Sequence, residues 1–420
     1  MSKVKKAYEL AKELYSKYGV DVDKAIETAD KLPISIHCWQ GDDVTGFEQD
    51  GGELTGGIQA TGNYPGKART PEELRQDLDK ALSYIPGVKK VNIHAIYLEN
   101  NSKKVDRNEI EPENFKGWAD WAVERKIGLD FNGTFFSHEK SADGFTLSSA
   151  DDSIREFWIE HGKRCRKVAK YFAERTGMPC VTNVWIPDGE KEFPIDSYAP
   201  RERLKDSLDQ IFAEKIDKNL VVDAVECKLF GIGSESYVVG SHEFYMGYAL
   251  THGDVTVAFD TGHFHPTELV SNKISAVSLF ADSLLLHVSR PVRWDSDHVV
   301  TYDDELRNIM SEVVRVKGAM NKVYLALDYF DGSINRIVAW TVGARNARKA
   351  LLEALLQPND YLKELEAAGD RSSRLAITQE FKSLPFGAIW DYYCEKNNIP
   401  VGTDWLDDAK KYEKDVLLKR

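Results

Sequence analysis

A chain of 420 residues, 42% hydrophobic and 29% charged, can bury a full globular core. Its 55 Lys plus Arg stand against 68 Asp plus Glu, a formal charge of -13 that repels phosphate backbones and argues against a nucleic-acid partner. No uncharged apolar run approaches the roughly 18 residues of a membrane span, and the charged opening MSKVKKAYELAKELYSKYG lacks the apolar stretch of a secretory signal.

From Lys3 to about Lys31 the spacing is helical, with Ala7, Leu10, Ala11, Leu14 and Tyr18 along one face. The chain then alternates between short apolar runs and amphipathic stretches. The runs are ISIHCW from Ile34, VNIHAIYL from Val91, IGLDFNGTF from Ile127 and CVTNVWIP from Cys180. They continue with VVDAVECKLF from Val221, VTVAFDTGHF from Val255, SLLLHVSRPV from Ser283 and KVYLALDYF from Lys322. Strands alternating with helices imply right-handed βαβ units and a parallel sheet, and eight of them imply closure. Near-continuous apolar character fits strands buried on both faces.

The expected fold is therefore α/β, a (β/α)8 TIM barrel with an N-terminal helix and a C-terminal helical extension. Residues 1–33 form the N-terminal helical segment, 34–355 the catalytic barrel and 356–420 the extension. From about Ile334 the strand signal stops, and the aromatic-rich tail is free to embrace another subunit or its own barrel. The glycine-rich stretch from Gly51 to Lys67 reads as a long irregular loop, a candidate lid over a site. The five cysteines (Cys38, Cys165, Cys180, Cys227, Cys394) are scattered without a CxxC pair, which implies reduced thiols and a cytoplasmic protein.

In such a barrel the carboxyl ends of the strands face the active site. Strand five ends in Glu226 and Lys228, and strand six in Asp260, His263 and His265. Strand seven gives His287 and then Asp295 and Asp297, and strand eight gives Asp328 and Asp331. So many carboxylates in a half-buried place cost several kcal/mol each without counter-charge, and Lys228 and Arg290 cannot balance them. A divalent cation, and more economically two, resolves this. Oxygen donors with a minority of imidazoles suit Mn²⁺, Mg²⁺ or Co²⁺ better than a thiolate-bound zinc. The pairs Glu226/Lys228 and Asp295/Asp297 are i and i+2, so each points to one side if extended.

Other chemistries fail on spacing. After His242-Glu243 a zinc-protease helix needs His at 246, where Met246 stands. No GxSxG elbow occurs, and Gly231-Ile232-Gly233 does not complete a dinucleotide loop.

Several long blocks then become recognisable: HCWQGDDVTGFE from His37, GGIQATGNYPGKAR from Gly56, ADGFTL from Ala142 and WIPDG from Trp185. With them go AVECKLFGIGSESY from Ala224, GSHEFYMGYA from Gly240, DTGHFHPTE from Asp260, LLLHVSRPVRWDSDHVV from Leu284 and LDYFDGSINR from Leu327. Together they resemble the L-rhamnose isomerase family over nearly the whole chain. The resemblance implies a homotetramer with two divalent ions per subunit, typically manganese. It implies Glu226, Asp260, His287 and Asp328 as ligands of a structural ion. His263, Asp295 and Asp297 are then ligands of the catalytic ion, with Asp260 shared. Glu226-Cys227-Lys228 is similar to the Glu-x-Lys of xylose isomerases, where the lysine polarises the carbonyl oxygen. His94 matches the position that touches the ring oxygen, and Trp39 and Trp185 match walls of the sugar pocket. Lys228, Asp328 and His94 are the expected catalytic residues.

Moving one hydrogen from C2 to C1 converts an aldose into its 2-ketose. A hydride shift needs O1 and O2 held by a Lewis acid, which the acid cluster can supply, and a positive charge near O1, which Lys228 can supply. The alternative is a base-catalysed enediol. Rival functions are an isomerase of another sugar, a metal-dependent phosphodiesterase or repair endonuclease on the same barrel, and a non-catalytic sugar-binding protein. The charge of -13 disfavours the second, and the third has no use for clustered ion sites.

Overall fold

All eight apolar runs become strands: β1 Ile34–His37, β2 Lys89–His94, β3 Gly128–Asn132, β4 Cys180–Val184, β5 Val221–Glu226, β6 Thr256–Asp260, β7 Leu284–Val288 and β8 Val323–Leu327. The computed structural model describes residues 2–48, 60–99, 104–229, 236–318, 320 and 322–420. The strands pair in parallel with their sequence neighbours, and β1 closes on β8 through Ile34 opposite Leu325 and Ser35 opposite Ala326. One register matters for the site: Asp260 lies directly opposite His287 where β6 meets β7.

Side chains alternate inward and outward along each strand. Inside the barrel, Val181, Val222, Ala224, Ala258, Leu285 and Ala326 form an apolar plug, a packed core rather than a pore. The next inward position along these strands is polar: Asn183, Glu226, Asp260, His287 and Asp328. The plug thus supports a tier of functional groups at the carboxyl end. Towards the amino end, Lys90 pairs with Asp130, which also accepts from the Val181 N–H at 2.7 Å.

The outer ring begins with Pro71–Leu82, where Thr70 caps the first turn, Pro71 opens it and Glu72 and Glu73 face the helix N-terminus. Asp152–Thr176 follows β3 and ends on Gly177 at φ 71°, a left-handed position natural to glycine. The ring closes with Arg336–Leu355 after β8. A two-stranded antiparallel ladder, Gly189–Glu190 with Tyr237–Val238, joins the loops after β4 and β5.

The N-terminal segment departs from expectation. It forms two helices, Lys3–Ser16 and Val22–Lys31, because the chain turns at Gly19 (φ 74°) and Asp21 caps a new helix by accepting from the Lys24 N–H. The buried face of the first helix is Tyr8, Ala11 and Tyr15, while Leu10 is 66% exposed and Ala7, Leu14 and Tyr18 also face outward. Large aromatics decide the face: Tyr8 stacks on Tyr392 at 3.8 Å, and Tyr15 meets Phe381 edge-on.

The extension folds back onto its own chain. Phe386–Lys396 packs on the first helix, building a second core from Tyr8, Tyr15, Ile26, Leu352, Ile389 and Trp390. Asp404–Asp415 lies on the barrel through Trp405 and Ala409, and Arg420 and Tyr412 both donate to the buried Asp77. All five cysteines are buried and unpaired. Among the described residues no helix is long and apolar enough to cross a membrane.

Candidate active site

Two groups of donor atoms converge at the carboxyl ends of β5 to β8. Glu226, Asp260, His287 and Asp328 each place one donor so that all four lie within 4.8 Å of one another. Asp260, His263 and Asp295 do the same, so Asp260 belongs to both. Four strands deliver the first group: Glu226 and Asp260 end β5 and β6, and Asp328 directly follows β8. His287 lies within β7.

The surroundings organise this first group. The amide of Asn183 donates to Glu226 Oε2, and the indole N–H of Trp39 donates to Asp328 Oδ1 at 2.9 Å. His287 Nδ1 lies 2.9 Å from Glu226 Oε2 and 3.6 Å from Asp328 Oδ2, near enough for their charges to act but without hydrogen-bond alignment. Burial lowers the His287 imidazole, yet Glu226 outweighs it and lifts the group to about 9. Burial raises Glu226, and His287 more than reverses that, holding it near 2. Asp328 is pushed up to about 6 by burial, against the pull of His287.

In the second group Lys228 Nζ donates to Asp295 Oδ2 at 2.6 Å, and the same oxygen lies 3.2 Å from His263 Nε2. Burial would raise the Asp295 carboxyl, but Lys228 and His263 hold it below the usual carboxylate range. Asp260 is driven well above that range by burial and then by Asp328 and its other acidic neighbours. Gly262, two residues on, donates its N–H to Asp260 Oδ1 at 2.6 Å. A Cβ there would sit 2.2 Å from Asp295 Oδ1, so any side chain would displace that carboxylate.

The residues fit a cation. Asp260 Oδ2 and Asp295 Oδ1 are buried acceptors without a hydrogen-bond partner. Buried acceptors without donors are costly, and among the described residues five carboxylates (Glu226, Asp260, Asp295, Asp297, Asp328) face one lysine, Lys228, and the two imidazoles of His263 and His287. Divalent charge satisfies both demands.

Asp297 stands apart. Its carboxylate is buried and held well above the usual range by burial, Asp295 and Asp328, but it joins neither donor group. Asp295 and Asp297 were expected to point to one side as an extended pair. Asp297 instead has φ 44°, so the chain turns between them. His265 faces solvent, bonded to Thr267, and Asp331 caps the following turn through Ser333.

Aromatic residues wall the space beside the donors. His94, at the end of β2, bonds Thr134 Oγ1 through Nδ1 at 3.0 Å and meets Trp39 edge-on at 4.7 Å. Burial and then Arg107 hold its imidazole down to about 3, so it is neutral. Trp185 lies under the Lys228 ammonium at 5.1 Å, and Phe136 bridges Trp185 and His94. Asp188 pins this wall: its carboxylate accepts from Thr146 and Ser148, two bonds from each. Asn183, Gly262, Phe136 and Asp188 were not singled out from sequence. Asn183 was the findable one, a polar residue at an inward position of an apolar strand run.

Residues 51–59 of the expected lid, and Gly231 to Gly233, lie outside the described residues. Of the remaining loop, Tyr64 bonds Glu413 and the Gly332 carbonyl.

The family model described as L-rhamnose isomerase (RhaA) matches residues 2–420. A protein of Mannheimia succiniciproducens named L-rhamnose isomerase is 59% identical over 420 residues, covering all of both chains. Proteins of the same name from Listeria innocua and Klebsiella pneumoniae (strain 342) are 56% and 57% identical over 419 residues, covering 100% of this chain and 99% of theirs.

Proposed function

The chain belongs to the L-rhamnose isomerase family, and from that premise we propose that it interconverts L-rhamnose and L-rhamnulose at a centre of two divalent ions. The observation that carries the reading is the pair of donor groups sharing Asp260, with Lys228 beside the second. Glu226, Asp260, His287 and Asp328 hold one ion; His263, Asp295 and the shared Asp260 hold the other, with Asp297 behind them. Manganese suits the oxygen-rich set, with Co²⁺ or Mg²⁺ as substitutes. A bound divalent ion would supply a Lewis acid for O1 and O2, the sugar oxygens on the two carbons between which the hydrogen moves.

The chain's own residues do the rest. Lys228, held by Asp295 and the Trp185 face, presents a fixed positive charge for the carbonyl oxygen as negative charge builds there. Neutral His94 offers a hydrogen bond to the ring oxygen during opening. Trp39, Phe136 and Trp185 accept the apolar edge and the C6 methyl group of a deoxy sugar. An apolar pocket rejects an added hydroxyl only weakly, so other aldoses react more slowly rather than not at all.

The hydrogen passes from C2 to C1 as a hydride while the O2 hydroxyl proton passes to O1, and no side-chain base takes the carbon-bound hydrogen. Sugar deuterated at C2 therefore delivers its label to C1 of the ketose with little washout. Extensive loss of deuterium to water within one turnover would mean that a base moves the hydrogen as a proton. Lys228→Met lowers turnover by about 10²–10³, the usual cost of one lost electrostatic stabiliser.

Residues 1–33, 34–355 and 356–420 act as N-terminal segment, catalytic barrel and extension, a division supported by β1 opening at Ile34 and Arg336–Leu355 ending at 355. The protein works as a cytoplasmic homotetramer. Five unpaired buried thiols favour a reducing compartment, and Arg371–Glu380 buries none of its side chains, leaving Leu375 62% exposed for a neighbour.

A further inference from the structure

Behind the second donor group lies a closed ring of three hydrogen bonds that the reaction itself does not call upon. His263 Nδ1 is 2.9 Å from the Cys227 carbonyl oxygen. The His263 carbonyl oxygen is in turn 2.6 Å from His242 Nε2. His242 Nδ1 meets the Cys227 thiol. The ring therefore runs from Cys227 to His242 to His263 and back to Cys227, across two strand-to-helix connections of the barrel.

Proton inventory gives it a direction. A carbonyl oxygen only accepts, so His263 must carry its proton on Nδ1 and His242 must carry its own on Nε2. The neutral His242 then has a bare Nδ1, and the thiol hydrogen of Cys227 is the donor that meets it. The Cys227 carbonyl fixes the tautomer of the neutral His263 ring, the His263 carbonyl fixes that of His242, and the thiol closes the ring. In the neutral His263 ring Nε2 is then the bare nitrogen, 3.2 Å from Asp295 Oδ2 within the second donor group. The His242 ring has no freedom to turn out of this arrangement. It stacks on Phe264 at 4.0 Å, and Phe264 is held between Phe259 and the Lys273 ammonium.

We propose that His242 and Cys227 are positioning residues that hold the His263 backbone, and through it the orientation of the His263 ring, for the second ion. The inference rests on the two-ion reading given above. It also assigns a use to Cys227, whose side chain lies between Glu226 and Lys228 but points away from the ions.

The test titrates the metal-free full-length protein with Mn²⁺ and follows the histidine nitrogen coupling of the bound ion by pulsed electron paramagnetic resonance. Wild type, His242→Leu, His242→Gln, Cys227→Ala and Cys227→Ser are compared. His242→Leu is expected to weaken one of the two ions by about 10–100-fold, the usual cost of losing a ligand's supporting hydrogen bond, and to leave the other at its wild-type affinity. His242→Gln, whose amide can still donate to the His263 carbonyl, recovers most of that loss. Cys227→Ser keeps the donor and behaves as wild type, whereas Cys227→Ala follows His242→Leu in direction. In the weakened variants kcat falls while KM for the sugar changes little, and the nitrogen coupling alters. Wild-type affinity for both ions and an unchanged coupling in His242→Leu would overturn the ring's role. Equal loss of both ions would reduce it to general stability, which also overturns it. A wild-type protein that binds no second ion sinks the two-ion reading instead, and the two failures are told apart in the same titration.

Discussion

Gly262→Ala is the sharpest test of how the two donor groups are held. The new Cβ would lie 2.2 Å from Asp295 Oδ1 and 3.2 Å from Asp260 Oδ1. Non-bonded heavy atoms settle near 3.5 Å, so Asp295 must retreat by about 1 Å or more. That carboxylate holds Lys228 at 2.6 Å and approaches His263 at 3.2 Å, so the displacement passes to the charge and the ligand of the second site together. A misplacement of about 1 Å in a reacting geometry costs on the order of 10²-fold, or about 2.7 kcal/mol of barrier. The expected kcat/KM for L-rhamnose therefore falls about 10²-fold, and one Mn²⁺ binds more weakly. Thermal stability changes little, because Asp295 sits in the loop after β7 and not in a strand. Ketose formation and Mn²⁺ titration on the same preparation decide it. Near-wild-type turnover with both ions tightly bound would show that the close approach of Gly262 to the carboxylates does not matter.

Exhaustive chelation abolishes turnover and Mn²⁺ restores it best; full activity in protein shown metal-free by elemental analysis contradicts the two-ion centre. Asp297→Asn stops turnover with the fold and one ion intact, while Glu226→Gln weakens the other ion and lowers thermal stability; identical metal loss in both variants refutes the division. Arg348 is buried and donates to the carbonyls of Ala29, Leu32 and Val88, so Arg348→Met should cost about 3 kcal/mol in urea unfolding, and a loss under 1 kcal/mol refutes its role as a clamp. Asp42, fully buried and only partly relieved by Tyr97 and the Gly46 N–H, has its carboxyl pushed up to about 7. The unfolded chain releases this proton near 4, so between about pH 4 and 7 the folded state binds more protons and stability falls as pH rises, by up to about 4 kcal/mol. Asp42→Asn flattens that part of the profile, and parallel profiles for the two proteins would show that Asp42 ionises normally.

The barrel was legible because its strands are buried on both faces, which makes each run apolar nearly throughout and leaves few alternatives to a parallel sheet. The N-terminal helices were legible as helix but not as two helices. Ala7, Leu10, Ala11, Leu14 and Tyr18 keep a helical period, yet so do Tyr8, Ala11 and Tyr15, and only the presence of Tyr392 and Phe381 across the gap selects the aromatic face. Those partners lie some 370 residues away in sequence. The Gly189–Glu190 ladder was too short to carry any period.

At the site, what sequence conveys depends on how each residue is delivered. Glu226, Asp260, His287 and Asp328 come from strands, where alternation and register fix direction: an inward residue near the carboxyl end of a barrel strand has one place to go. Their convergence follows from topology. Asp295 and Asp297 come from the loop after β7, where no period applies; the backbone is left-handed at Asp297, and Asp295 joins a donor group while Asp297 joins neither. The residues that hold the ligands were the least visible. Trp39 and His242 bond partners on other strands or loops, and nothing in their own neighbourhoods marks those bonds, while Asn183 is marked by its inward position but not by its bond to Glu226. Trp39 illustrates the difference. The family resemblance implies it as a wall of the sugar pocket, but its indole N–H also bonds Asp328, and that contact exists only once β1 has closed on β8. Ligands are thus written into strands one at a time, while their supports are written into the closure of the barrel, which no single segment contains.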